Sequence, residues 1–308
     1  MKSPNLRIAI VRLSALGDII NTALILQIIA HYYPDSQIDW FVEEAFAPLL
    51  QNHPLIHNVI PIPLKRIKKT KSPALFLQTR KALRALPPYD HIIDAQGLLK
   101  SAIVTSFLKG KVHGFDRKSA REGIASWFYD TVSSIPYEMN VIRRNILVIT
   151  EALGIPFDEK TIQNKEAVFP LQERPQILDT DVKNIACVIG ASWPSKCYPK
   201  EHFAALCQIL PYPCYLIWGS DQELHDAQWI SERASNAIVA PKFSLFELVT
   251  FIAHCDLTVG NDTGPTHIAW AMNKPSITLF GPTTERMIYP TPVNIGIKSP
   301  SHVDIFHI

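Results

Sequence analysis

The stretch LRIAIVRLSALGD, residues 6–18, decides the fold of the first half of this 308-residue chain. Its apolar and β-branched beginning, Leu6–Leu13, predicts a buried β-strand. A turn with a single glycine, Ser14–Asp18, follows directly, and the next stretch, Ile19–Tyr33, carries apolar residues at helical spacing. A strand, a short turn and a helix in this order are typical of a parallel sheet that is covered by helices.

The same alternation continues along the chain and is interrupted once. Strand-like runs at Ile38–Val42, Val59–Ile62 and His91–Asp94 are each followed by a longer amphipathic or polar stretch. Residues 167–183, AVFPLQERPQILDTDVK, contain two prolines and clustered polar residues, and we interpret them as an interdomain linker. Beyond them the predicted strands are Ile185–Ile189, Cys214–Trp218, Ala237–Val239, Leu257–Val259 and Ser276–Phe280, and the predicted helices are Lys200–Leu210, Asp221–Ala234, Ser244–His254 and Thr263–Met272.

This pattern predicts an α/β protein with two Rossmann-like domains, residues 1–166 and 184–308, joined by the linker. Ligands of such sheets bind beyond the carboxyl ends of the strands. We therefore expect the two domains to face each other across a cleft and the functional residues to lie in the turns that follow the strands.

Composition excludes several classes of protein. Hydrophobic residues make up 47% and charged residues 19% of the chain, as in a globular protein with a sizeable core. The net charge of +2 argues against a nucleic-acid binder, and no stretch approaches the roughly 20 apolar residues of a membrane span. The start of the chain lacks the long apolar core of a signal peptide. Five cysteines without a CxxC pair predict reduced thiols in a cytoplasmic protein, and argue against disulfides and a zinc site.

The turn Ser14–Asp18 carries the first candidate group. It lacks the GxGxxG of a dinucleotide-binding turn, which disfavours an NAD-type oxidoreductase, and no P-loop pattern occurs in the chain. It offers a carboxylate, Asp18, at the start of a helix. Two interpretations, which do not exclude each other, remain open: a helix N-cap or a general base.

The turn Gly260–His267, GNDTGPTH, follows an apolar strand and opens a helix. The free N–H groups of a helix N-terminus attract anions, and the two glycines let the backbone approach a ligand closely. Asp262 can accept hydrogen bonds from sugar hydroxyls, and His267 can donate to a phosphate. An ordinary capped turn between a strand and a helix is the alternative.

Two further loops at strand ends carry charged residues. Lys196, in the loop SWPSK, can neutralise a phosphate as a point charge, unless it is an ordinary solvated lysine. Glu223, in the turn WGSDQE, can bind ribose hydroxyls, unless it only supplies an acidic first turn that the helix dipole favours.

The first half adds a basic cluster and a polar turn. The cluster consists of Lys65, Arg66, Lys68, Lys69 and Lys71, with Arg80 and Lys81 further on. Such a segment attracts anionic lipids or ligands, or it is a solvated loop. The turn AQGLLKS, which contains Gln96, is expected on the same side of the sheet as Asp18. The sequence shows no Ser/His/Asp triad pattern and no histidine pair at metal-ligand spacing.

All these candidates follow predicted strands. The first half supplies a carboxylate and basic loops, and the second supplies anion-binding turns and a lysine. The division favours a two-substrate enzyme with a nucleotide-diphosphate donor in the second half and an anionic acceptor in the first. It is the arrangement of a GT-B glycosyltransferase.

The chain also resembles a known family, the bacterial heptosyltransferases of glycosyltransferase family 9. The blocks that carry the resemblance follow the expected order: VRLSALGD (Val11–Asp18), IDWFVEEAFAPL (Ile38–Leu49), IIDAQGLLKSA (Ile92–Ala102), HGFDRKSAREGIASWFYD (His113–Asp130) and GNDTGPTHIAWA (Gly260–Ala271). The DTGxxH turn marks the whole family. The DWxVEE, DAQGLxKSA and SARE blocks favour type I members over type II.

The resemblance implies a reaction. L-glycero-D-manno-heptose would pass from ADP-heptose, with inversion, to the first Kdo residue of Kdo2-lipid A, in the inner core of lipopolysaccharide. It implies a peripheral location at the cytoplasmic face of the bacterial inner membrane, contact with its anionic surface, and no cofactor or essential metal. The alternatives are a type II acceptor or a nucleotide-sugar-binding protein without turnover, and the presence of both Asp18 and Lys196 argues against the latter.

The resemblance also implies roles for individual residues. Asp18 matches the catalytic base, and Lys196 matches the lysine that offsets charge on the leaving diphosphate. The positions that match donor contacts are Ser192, Glu223 at the ribose, Phe243 at the adenine, and Asp262, Thr263, Gly264 and His267 at the heptose and phosphates. The positions that match acceptor contacts are Lys65, Arg66, Lys68, Lys69, Gln96, Arg121 and Arg144.

Overall fold

A computed structural model describes residues 5–300 of the chain. They form two compact units, which divide between Val168 and Phe169. The division falls inside the segment 167–183 that the sequence analysis interprets as a linker. Each unit contains one six-stranded sheet of parallel strands with helices packed on it. The predicted α/β alternation is therefore confirmed in both halves. No helix within residues 5–300 is both long and apolar enough to cross a membrane.

Unit 1 is built around a central strand, β1. Its strands are β1 (Arg7–Val11), β2 (Gln37–Glu43), β3 (Asn58–Ile62), β4 (His91–Asp94), β5 (Lys111–Phe115) and β6 (Thr131–Ser133), in the order β3-β2-β1-β4-β5-β6. Ile8 of β1 aligns with Ile38 of β2 and with His91 of β4. Helices cover both faces of a parallel sheet, which is why β1 is an unbroken apolar run and is buried from its second residue on.

The helices of unit 1 are α1 (Leu16–Ala23), α2 (Ile25–Tyr32), α3 (Ala47–Leu50), α4 (Leu64–Thr70), α5 (Pro73–Ala85), α6 (Leu99–Thr105), α7 (Val141–Leu153) and α8 (Glu159–Gln163), with 3₁₀ turns at Glu44–Phe46 and Gly123–Phe128. The single helix predicted at Ile19–Tyr33 is wrong in two respects, because the helical segment starts at Leu16 and is divided at Leu24. The Thr22 hydroxyl donates to the Asp18 carbonyl at 2.7 Å just before the break, and such side-chain bonds bend helices.

Unit 2 repeats the plan. Its strands are β7 (Ile185–Val188), β8 (Cys214–Ile217), β9 (Ala237–Val239), β10 (Leu257–Asn261), β11 (Ser276–Phe280) and β12 (Asn294–Lys298), in the order β12-β11-β10-β7-β8-β9. Its helices are α9 (Lys200–Ile209), α10 (Asp221–Ser231), α11 (Leu245–His254) and α12 (Gly264–Ala271), with 3₁₀ turns at Pro194–Lys196 and Glu285–Met287.

Three strands, β5, β6 and β12, were not predicted from the sequence. β6 and β12 each lie at one of the two edges of their sheet, and β5 pairs with β6. An edge strand is covered less completely than a central one, so its sequence lacks the continuous apolar run that identifies β1 or β7. In each unit the turns after the central strands lie at the carboxyl ends of the strands, and these turns carry most of the candidate site residues.

Candidate active site

Asp18 is the third residue of α1, and the N-cap is Ala15. The N-cap interpretation of Asp18 is therefore wrong. One carboxylate oxygen accepts from the Ala15 N–H at 3.2 Å, and the other lies 2.9 Å from Nη2 of Arg12. The side chain of Asp18 is 20% exposed. A carboxylate that is fixed by two donors and still reaches solvent suits the hypothesis of a general base.

Arg12 is buried between the β1 end and the turn after β4. Its guanidinium donates to the Ala95 carbonyl as well as to Asp18. A buried cation without a counter-charge is costly, and Asp18 supplies that counter-charge to Arg12. Arg12 is not among the residues predicted from the sequence, although a lone arginine at the end of the apolar run IAIVRL is a visible signal.

Gln96 holds the turn that leads to Asp18. Its side-chain oxygen accepts from the Leu13 N–H at 2.8 Å, and its amide donates to the Ser14 hydroxyl at 3.3 Å. Asp94, at the end of β4, accepts from the Gln96 N–H at 2.8 Å. Gln96 is buried. Its position supports a role in fixing the turn in addition to the predicted acceptor contact.

Lys100 is a second residue that the sequence analysis missed. Its ammonium donates to the Ser14 hydroxyl at 2.6 Å. Burial lowers the pKa of Lys100, Glu43 raises it, and the nearby cations Arg12 and Arg121 lower it. The signal was present in the block DAQGLLKSA, where Lys100 follows the turn of Gln96 and lies at the start of α6. Arg12 and Lys100 thus contact the residues around the turn before Asp18, and Arg121 lies near Lys100, which is a suitable environment for an anionic acceptor.

The other predicted acceptor residues lie in two settings. Lys65, Arg66, Lys68 and Lys69 all belong to α4. Arg66 forms an exposed ion pair with Glu44 at 3.2 Å, and Lys65 lies over the Phe46 ring. Arg121 is exposed in the segment before the 3₁₀ turn Gly123–Phe128.

Arg144 has a different environment. Its guanidinium is buried in α7 and donates to the carbonyls of Ile135, Pro136 and Ser119 at 2.7–3.1 Å. It also lies 4.8 Å from the Phe115 ring centroid. These contacts give Arg144 a structural role, and its burial argues against the predicted acceptor contact.

The variant Arg144→Met is expected to lower the free energy of unfolding by about 3 kcal/mol, because three buried carbonyls lose a charged donor. The control is Arg143→Met on the same helix, whose exposed pair with Glu159 is expected to contribute less than about 1 kcal/mol. Denaturant unfolding measures both. An acceptor KM that rises while stability is unchanged would contradict the structural role.

In unit 2, Lys196, Asp262 and His267 form one cluster. The Lys196 ammonium lies 2.7 Å from Oδ2 of Asp262, and Nε2 of His267 lies 3.3 Å from Oδ1. The Asp262 side chain is only 2% exposed. Burial raises the pKa of Asp262, but His267 and Lys196 outweigh it and hold the pKa below its usual range. Asp262 therefore remains ionised at neutral pH and orients two cationic or hydrogen-bonding groups.

Asn261 ties this cluster to the neighbouring strand. Its amide donates to the Ile189 carbonyl at 2.7 Å, and its oxygen accepts from the Tyr198 N–H at 2.8 Å. The loop that carries Lys196 is thereby joined to the turn that carries Asp262. The sequence analysis missed Asn261, although an asparagine at the end of an apolar strand was visible.

The predicted donor residues Thr263 and Gly264 lie at the start of α12, where Thr263 is the N-cap. Gly260 also has a role in the packing of the sheet. A Cβ at Gly260 would lie 2.4 Å from Cβ of Val188 in β7. Glycine is needed here because two strands pack closely.

Glu223 and Ser192 line one pocket of about 550 Å³ at the ends of β7 and β8. Oε2 of Glu223 accepts from the Gly219 N–H at 2.6 Å and from the Ser220 N–H at 3.2 Å. The Ser220 hydroxyl accepts from the Glu223 N–H, so Ser220 and Glu223 form a capping box. Oε1 points towards Gly190, where a Cβ would lie only 2.1 Å away. Glu223 thus has one oxygen engaged in the cap and the other beside the pocket.

Phe243 borders a different cavity of unit 2, of about 260 Å³, which Lys242 and Pro241 also line. Its ring packs on Phe251 with 4.7 Å between the centroids. The ring offers an apolar wall, but in this structure it does not lie in the pocket of Glu223.

Three cysteines meet in the core of unit 2. The sulfur atoms of Cys187, Cys207 and Cys214 lie within 4.8 Å of one another and are buried. Mutual hydrogen bonds and burial raise the pKa of Cys187. The absence of a CxxC pair favours reduced thiols and argues against a zinc site. It does not reveal this cluster, because its members come from three separate elements, β7, α9 and β8.

Comparison with known proteins identifies the family. The model of glycosyltransferase family 9 (heptosyltransferase) matches residues 76–302. Lipopolysaccharide heptosyltransferase 1 of Campylobacter coli is 40% identical over 94% of this chain and 88% of its own length. The corresponding protein of Escherichia coli K12 is 33% identical over 92% and 90%.

A solved structure extends the likeness. The structure of E. coli heptosyltransferase WaaC with ADP-2-deoxy-2-fluoro heptose superposes with a TM-score of 0.81 and 28% identity, over 96% of this chain and 94% of that one. The predicted GT-B fold class and the resemblance of the motifs are confirmed. The chain belongs to glycosyltransferase family 9, the heptosyltransferases, and is a glycosyltransferase.

Proposed function

We propose that this enzyme transfers L-glycero-D-manno-heptose from ADP-heptose to the first Kdo residue of Kdo2-lipid A, in the assembly of the lipopolysaccharide inner core. The observation that carries the proposal is the buried Lys196–Asp262–His267 cluster beside the pocket of Glu223. The similar proteins from C. coli and E. coli are named lipopolysaccharide heptosyltransferase 1. The similar solved structure is that of WaaC with ADP-2-deoxy-2-fluoro heptose.

Unit 2 supplies the donor half of the reaction. As the bond between the anomeric carbon and the diphosphate breaks, ADP leaves with the electron pair, and the Lys196 ammonium offsets the charge that develops on it. Asp262 orients Lys196 and His267, and His267 donates to a phosphate oxygen. We further propose that Ser192 contacts a phosphate, Glu223 binds the ribose through Oε1 and Phe243 contacts the adenine. Thr263 and Gly264 line the sugar and phosphates.

Unit 1 supplies the acceptor half. The acceptor hydroxyl oxygen bonds to the anomeric carbon on the face opposite the leaving group, and its proton passes to Asp18. Arg12 holds the Asp18 carboxylate in position through their ion pair. The α4 cations, Lys100 and Arg121 bind the carboxylates and phosphates of the acceptor. Since Lys196 neutralises the leaving group, no metal enters the proposed reaction. We also propose that the enzyme acts at the anionic cytoplasmic face of the inner membrane.

Release of ADP from ADP-heptose tests the proposal. We expect release only when Kdo2-lipid A is added. Release with an already heptosylated acceptor alone would favour the type II reaction, and donor binding without release would favour a binding protein. Either result would overturn the proposed reaction.

The variant Lys100→Met is expected to raise the acceptor KM about tenfold, because one charged contact to an anion is lost, and to leave the KM for ADP-heptose unchanged. Lys109→Met, an exposed change in the same unit, is the control. Steady-state kinetics with each substrate varied in turn measures both constants. An unchanged acceptor KM would limit Lys100 to supporting the Ser14 turn.

A further inference from the structure

The most uneven charge distribution of the chain lies in α4, α5 and the residues that follow. Residues 64–89 contain eight cations and no carboxylate, although the whole chain has a net charge of only +2. The cations are Lys65, Arg66, Lys68, Lys69, Lys71, Arg80, Lys81 and Arg84. The proposed function uses only those of α4, and it assigns nothing to α5.

The outer face of α5 combines charge with an exposed apolar side chain. Leu77 is 55% exposed. Lys81 and Arg84 follow it at four and seven residues, which places all three on one side of the helix. Leu83 lies on the inner side and is buried in the core of unit 1. A basic helix that exposes a leucine is typical of helices that lie on a membrane surface.

The 3₁₀ turn Gly123–Phe128 exposes a second apolar group. Ile124 and Trp127 are three residues apart, so their side chains are eclipsed on one face, and Trp127 is 72% exposed. Arg117, Lys118 and Arg121 precede the turn and are exposed. In the part of the chain that the structure describes, none of these three cations is paired with a carboxylate.

Both features lie on the same face of the unit 1 sheet. Leu83 of α5 and Val104 of α6 belong to one buried cluster, and Tyr129, directly after the 3₁₀ turn, packs against it. Phe76 of α5 also contacts Phe107, which follows α6, with 5.9 Å between the ring centroids. α5, α6 and the 3₁₀ turn therefore form a continuous layer, which we call the α5–Trp127 face.

We infer that the α5–Trp127 face docks on an anionic lipid bilayer, with Leu77 and Trp127 entering the interface and the surrounding cations lying against the headgroups. Tryptophan prefers this depth in a membrane, and each cation near an anionic surface adds favourable energy. A second copy of the chain fits the face poorly, because a symmetric contact would set the same cations against one another. The inference rests on the proposed function for the lipid nature of the acceptor and for the membrane location, and it adds the surface that makes the contact.

Docking at this face would bring the proposed acceptor-binding residues of unit 1 close to the membrane. The Glu122 carboxylate accepts from the Leu99 N–H at 2.7 Å, and the Glu122 N–H donates to the Gly97 carbonyl at 3.0 Å. The segment that carries Trp127 is thus joined directly to the turn that carries Gln96 and Lys100. A bilayer at Trp127 would hold this turn close to the headgroups, where a lipid-linked sugar is available.

Cosedimentation with vesicles tests the inference without any acceptor. The vesicles contain phosphatidylcholine with or without phosphatidylglycerol. We expect binding that needs phosphatidylglycerol, a loss of about 30-fold in the double variant Lys81→Gln/Arg84→Gln, and a loss of about tenfold in Trp127→Ser. The matched controls Lys160→Gln/Lys183→Gln and Ile209→Ser, all at exposed positions that do not belong to the face, are expected to bind as the unmodified protein does.

A second assay separates this inference from the proposed reaction. With a soluble Kdo acceptor that has no acyl chains, all these variants are expected to release ADP at the unmodified rate. Absence of ADP release in every protein would refute the proposed reaction and leave the vesicle result standing. Vesicle binding that is equal in the face variants and the controls, or a dimer in sedimentation that Trp127→Ser dissociates, would overturn the docking inference.

Discussion

The variant Asp18→Asn is expected to lower kcat by about 10²–10⁴-fold, the usual contribution of a positioned general base, with little change in the affinity for ADP-heptose. The amide oxygen can still accept a hydrogen bond from Arg12 or from the Ala15 N–H. It cannot take the proton of the attacking hydroxyl. The substitution therefore removes the chemical function and preserves the shape of the turn.

Single-turnover rates with saturating substrates, together with calorimetric titration of ADP-heptose, measure the two quantities. Asp35→Asn, an exposed change in unit 1, is the control. Because the neutral amide leaves Arg12 without its counter-charge, the melting temperature is measured in parallel. Near-normal turnover in a folded Asp18→Asn protein would remove Asp18 from the role of base.

The variant Lys196→Met is expected to lower kcat by about 10²–10³-fold, as when a single donor to a developing anion is removed. The methionine keeps the unbranched chain and loses the charge that lies 2.7 Å from Asp262. The affinity for ADP-heptose is expected to fall less than kcat, because the diphosphate gains charge only as the glycosidic bond breaks.

Donor titration and single-turnover kinetics again separate the two effects, with Lys183→Met, an exposed change in unit 2, as the control. A merely structural lysine would act through Asp262 and would change the melting temperature and donor affinity together. Equal losses in donor affinity and in rate would therefore contradict a role specific to the transition state.

Local sequence determined where most of the strands and helices lie along the chain in both units. β1, β4 and β7 are short apolar runs buried on both faces of a parallel sheet, and such runs are recognisable without knowledge of their partners. The turns after these strands necessarily lie at the carboxyl edge, so Asp18, Gln96 and Lys196 could be assigned to candidate sites from the chain alone. The motif blocks also identified the family, because each block is a contiguous stretch that can be recognised without knowledge of the tertiary structure.

The contacts of the individual side chains depended on residues far apart in the sequence. Lys100 reaches Ser14 across 86 positions and Lys196 reaches Asp262 across 66, and no spacing rule connects such pairs. The burial of Arg144 required the carbonyls of a separate loop, and the meeting of three cysteines required two strands and a helix to pack. Periodicity and turn chemistry report which face a residue occupies within its own element. Which partner it then meets is decided by how the elements pack, and that is a property of the tertiary structure alone.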